Sequence, residues 1–111
     1  MPIRLGFKQH RQKFLDEELD RIVKLLPQLG IQRAILIDPL DPGSVEPDTS
    51  LKLVLVMDVD WPFVRRLDFF YSHLSPRVAV DFLPYTPQEF DEIDAGDSAF
   101  SKTIQRGRVL L

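Results

Sequence analysis

The chain has 111 residues, 44% hydrophobic and 28% charged, with 17 acids against 14 bases and no cysteine. One globular domain fits that length and composition, and the missing cysteines exclude disulfides, thiolate nucleophiles and cysteine-ligated metals. A net charge of −3 argues against broad nucleic-acid binding, which needs a basic face. Residues Met1–Gly6 lack the apolar stretch of a signal peptide, and no apolar run approaches the roughly 18 residues of a membrane span. A cytoplasmic protein with no nucleic-acid or membrane partner is expected.

The first predicted element is a helix over Arg11–Leu26. Leu15, Leu19, Ile22, Leu25, Leu26 and Leu29 recur at spacings of three and four, with acids between them. Those acids are expected in its first turns, where the helix dipole favours them. Pro27 ends or kinks the helix, and Gly30 suits its C-terminal cap. Ile31–Ile37 is a short strand. Asp38–Ser50 holds three prolines, a glycine and four acids, which makes it a long loop.

Leu51–Met57 is almost unbroken apolar sequence, as in a strand covered on both faces. Pro62–Leu74 returns to helical spacing through Phe63, Leu67, Phe70 and Leu74, with Pro62 placed to start it. Phe69, Phe70 and Tyr71 in succession cannot all face one core, so at least one is exposed or in an interface. Arg77–Leu83 is the third strand. Thr86, Pro87 and Glu89 form a helix start with a capping box. Ser98–Gln105 is a further short helix, and Val109–Leu111 a terminal edge strand open to pairing with a second copy.

The order is α-β-loop-β-α-β-α-α-β, an α/β (α+β) domain over residues 1–111 in which helices flank a sheet. No nucleophile elbow, phosphate-binding Walker loop or dinucleotide fingerprint occurs. His10 and His73 stand apart without ligand spacing; His10 reads as an exposed residue near a helix start, and His73 as lying on the polar side of its helix. The loop acids Asp38, Asp41, Glu46 and Asp48 do not follow a calcium-loop pattern and read as solvated.

From Ile31 onward the sequence resembles the minimal nucleotidyltransferases of the DNA polymerase β superfamily. Three stretches carry the resemblance: Pro47-Asp48-Thr49-Ser50-Leu51-Lys52-Leu53-Val54-Leu55-Val56, Val80-Asp81-Phe82-Leu83-Pro84-Tyr85-Thr86-Pro87-Gln88-Glu89-Phe90, and Phe100 to Leu111 with its ending Ile104-Gln105-Arg106-Gly107-Arg108-Val109-Leu110. The resemblance implies a mixed sheet flanked by helices. It also implies a site in which two aspartates on one strand and a third on the next hold Mg²⁺ against ATP. Here Ser50 and Lys52 stand at the first two positions, and only Asp81 matches the third. Asp38 and Pro39 replace the Gly-Ser pair that binds phosphate, and Pro42 replaces the motif arginine. Gly43-Ser44 lies too close to Asp48 to be that pair and reads as a turn.

The expectation is a domain with a degenerate active site that holds neither metal nor nucleotide. Its role would be a protein-binding, antitoxin-like one, with a HEPN-domain partner or a homodimer implied by the resemblance. Lys52 would stand in for the metal and pair with Asp81. The alternative is an active Mg²⁺-dependent enzyme that moves a nucleotide monophosphate from ATP to a protein or small-molecule hydroxyl, using Asp81 and a relocated ligand such as Asp48. Simple nucleotide binding without chemistry is a third reading, opposed by the acidic, proline-broken loop.

Overall fold

The computed structural model describes residues 6–37 and 49–111. Its elements are α1 (Phe7–Leu25), a 3-10 turn (Leu26–Leu29), β1 (Ile31–Ile37), β2 (Leu51–Met57), α2 (Phe63–Leu74), β3 (Val80–Tyr85), α3 (Pro87–Asp94), α4 (Ala99–Gln105) and β4 (Arg108–Val109). The four strands form one mixed sheet in the order β3-β2-β1-β4. β2 runs antiparallel to β1 and parallel to β3, while β4 runs antiparallel to β1. The fold is α+β.

Both faces of the sheet are covered. One face presents Ala34, Leu36, Leu51, Leu53, Leu55, Val80 and Phe82 to Leu15, Leu19, Ile22 and Leu26 of the first helical segment and to Phe70 and Leu74 of α2. On the other, Ile35, Ile37, Val54 and Val56 meet Phe90 of α3 and Ile104 of α4. This explains the unbroken apolar run of β2: alternate side chains point to opposite faces, and in this strand each face is core. Six of its seven residues are buried, Lys52 being the exception.

Several boundaries differ from those expected. α1 begins at Phe7 rather than Arg11, because the Gly6 amide is held at 3.0 Å by Gln9 Oε1. The first turn therefore contains no acid, and Asp16, Glu17 and Glu18 fall mid-helix. Pro27 does not end the helix abruptly; the chain tightens into the 3-10 turn and stops at Gly30, whose φ of 81° suits glycine. β3 starts at Val80 rather than Arg77, since the Arg77 amide donates to Glu18 Oε2 and is lost to the sheet. The terminal strand covers Arg108–Val109, because the amides of Leu110 and Leu111 both turn to Ala34 O. The capping box at Thr86 and Glu89 forms as expected, with bonds of 2.8 and 3.2 Å.

β3 tolerates Pro84 for a geometric reason. Leu51 N bonds Ala79 O, and along a parallel strand successive residues direct their amide and carbonyl to alternate sides. Val80, Phe82 and Pro84 therefore face outward, where a missing N–H costs no ladder bond. α2 caps two of these outward carbonyls: Tyr71 OH donates to Val80 O at 2.6 Å, and Arg66 Nη1 to Pro84 O at 3.3 Å.

Candidate functional site

Ser50 immediately precedes β2, Lys52 is its second residue, and Asp81 is the second residue of β3. Residues at i and i+2 of a strand share a face, and the parallel register sets Lys52 directly beside Asp81. All three therefore lie on the face that carries Val54 and Val56, at the end where β2 and β3 begin and β1 finishes, Ile37 being the antiparallel partner of Lys52. Asp81 is exposed, whereas Ser50 and Lys52 are half-buried.

The Ser50 hydroxyl donates to Asp81 Oδ2 at 3.2 Å. The ion pairs between described residues are Lys13–Glu17, Arg21–Glu18 and Arg66–Glu89, and the expected Lys52–Asp81 pair is not among them. Arg11 of α1 donates to Thr49 O at 3.0 Å and so fixes the backbone one residue before Ser50. On the other side, Tyr71 approaches through Val80. Burial first, and the Asp81 charge second, raise the Tyr71 hydroxyl above its ordinary pKa, so it stays a protonated donor to the β3 carbonyl.

The described side chains of this cluster are one carboxylate, one hydroxyl and one ammonium. A hard dication wants several carboxylate or carbonyl oxygens, and a lysine on the same face opposes it. Among the described residues no group of three or more His, Asp or Glu side chains is placed to hold a metal. His73 stacks on Phe69 at 4.2 Å and its Nδ1 lies 2.8 Å from Phe69 O; His10 is exposed on α1. Neither joins the Ser50–Asp81 cluster. Asp38, Pro39, Pro42, the Gly43-Ser44 pair and Asp48 lie outside the described residues.

Two buried charges were not singled out from the sequence. Glu18, 4% exposed, accepts from Arg21 Nε at 2.6 Å and Nη2 at 2.9 Å, and from the Arg77 amide. Arg21 Nη2 also donates to Leu74 O at 2.8 Å. The Arg21 bond, above all, holds the Glu18 carboxyl below the usual carboxylate range. Arg66 donates to Trp61 O at 2.8 Å, to Pro84 O and to Glu89 Oε1 at 2.7 Å, and so ties α2, β3 and α3 together. The backbone bond from Thr86, with help from Arg66, lowers the Glu89 pKa. Both residues sit at core spacing, Glu18 three after Leu15 and Arg66 four before Phe70, and that signal could have found them.

No helix among the described residues is long and apolar enough to cross a membrane. Comparison with protein-family models, curated proteins and solved structures returned no match.

Proposed function

We propose that this chain is a nucleotidyltransferase-like domain with a degenerate active site, which acts as a protein-binding, antitoxin-like module rather than as an enzyme. The observation that supports the reading is the Ser50–Lys52–Asp81 juxtaposition at the start of β2 and β3. Two-metal phosphoryl transfer needs carboxylates at such converging positions to hold the ions that neutralise the phosphates. A hydroxyl and an ammonium replace two of them, and the hydroxyl occupies the remaining carboxylate. The partner class that goes with this reading is a small all-helical protein of the HEPN type, bound without nucleotide chemistry.

Calorimetric titration with ATP, with and without Mg²⁺, tests the loss of catalysis. No Mg²⁺-dependent binding is expected. Saturable Mg²⁺-dependent binding that disappears in Asp81→Ala would overturn the proposal in favour of the active transferase, with Asp48 the first carboxylate to replace next. Co-expression with a small helical protein encoded beside this gene tests the partner class. The expected complex survives Asp81→Ala, and a complex that requires Asp81 and ATP would contradict the reading.

A further inference from the structure

α2 has two stripes. Arg66, Phe70 and Leu74 face inward and are buried. On the outer side of the helix, Arg65, Asp68 and Ser72 recur at the three-four spacing of a helix–helix seam, and Trp61 stands just before its first turn. These four, with Phe69 and His73, line a groove of about 410 Å³. Phe69 forms part of its floor, held between Trp61 at 5.3 Å and His73 at 4.2 Å. Of the six large hydrophobic side chains exposed among the described residues, Phe63, Val64 and Tyr71 are on this helix, with Val64 at 68% and Tyr71 at 44%. Arg65 and Asp68 are three apart on the same helix, yet among the described residues neither forms an ion pair within the chain.

The stripe is complementary to itself. When a second α2 is laid antiparallel along the first about a two-fold axis, positions of the seam meet in layers across it. Centring the axis between Arg65 and Asp68 sets Arg65 beside the partner's Asp68, and Asp68 beside the partner's Arg65. On the flank of the same seam Val64 comes against the partner's Tyr71. The same axis thus satisfies both central charges and covers the two most exposed apolar side chains of the helix.

We infer that the outer face of α2 is an isologous docking surface for a second copy of this chain, held by a reciprocal Arg65–Asp68 pair of contacts. Twelve residues of helix extend only about 18 Å, so the contact belongs to the small, transient class of interfaces below roughly 1,200 Å². The dimer exchanges rapidly and is populated at high protein concentration. None of Ser50, Lys52 or Asp81 takes part, so this surface stands independently of the nucleotidyltransferase reading.

Sedimentation velocity over a concentration series from micromolar to millimolar tests it. The wild-type chain is expected to move from monomer to dimer. Arg65→Asp and Asp68→Arg each set like charges against one another and hold the chain monomeric at concentrations where the wild type is mostly dimeric. An equimolar mixture of the two variants regains dimer, because both central contacts are again of opposite charge. All the altered side chains are exposed, and unchanged far-ultraviolet circular dichroism checks the fold. A wild-type chain that stays monomeric throughout, a single variant that dimerises as the wild type does, or a mixture that does not associate overturns the inference.

Discussion

Replacing Glu18 by alanine removes a buried carboxylate that fastens α1 to the turn between α2 and β3. Three bonds go at once: two from Arg21 and one from the Arg77 amide. Breaking a buried ion pair by deleting one partner typically costs about 3–5 kcal/mol. The Arg21 side chain, however, is 33% exposed and retains its bond to Leu74 O, so water and the carbonyl recover part of that cost. We expect about 2–3 kcal/mol, which for a domain of this size lowers Tm by roughly 10 °C. Urea denaturation at pH 7, with an unchanged m-value, measures it.

Acid supplies a control specific to the charge. The folded-state pKa of Glu18 lies below its ordinary value of 4.5, so its stabilising contribution is complete above that value and is lost as pH falls through the folded pKa. The stability gap between the wild type and Glu18→Gln should therefore shrink as the pH is taken below about 4. A loss under about 0.5 kcal/mol at pH 7, the range of ordinary surface substitutions, refutes the reasoning. So does a gap that acid leaves unchanged.

Two further substitutions probe how the sheet is held. Arg66→Met keeps the apolar stem but leaves the Trp61 and Pro84 carbonyls unmet and removes the Glu89 partner; urea denaturation is expected to show a loss of about 2–3 kcal/mol. Gly107→Ala places a methyl group 2.5 Å from Ile35 Cγ2 and 3.0 Å from Leu36 O, so β4 must shift off β1. Amide hydrogen exchange should then show faster exchange at Leu110, whose amide donates to Ala34 O, with β2 protected as before.

The periodic core of this fold was legible in the sequence, and the charged fastenings were not. Leu15, Leu19 and Ile22 give α1 away by spacing alone, and the apolar run of β2 reports cover on both faces. The start of β3 was missed because a distant group claims a backbone amide. Nothing within Arg77–Ala79 says that Glu18, far upstream, takes the Arg77 N–H. In the same way, Pro84 reads as a strand breaker until its amide side is known to face outward. At the site, the two-residue alternation from Ser50 to Lys52 was readable, and so was their shared face. That the Ser50 hydroxyl would bond Asp81 depended on side-chain reach and register, which a linear pattern does not encode.

The capped outer side of β3 bears on what happens when many copies of the chain are present together, as during synthesis or refolding. A bare strand margin templates the addition of another chain, and stacks of such additions end in fibres. Here an incoming strand would have to displace the Tyr71 hydroxyl and the Arg66 guanidinium, and at Pro84 it would find no hydrogen to accept. α2 therefore does more than cover the core: it acts as a chemical guard along the margin of the sheet, against disordered self-assembly.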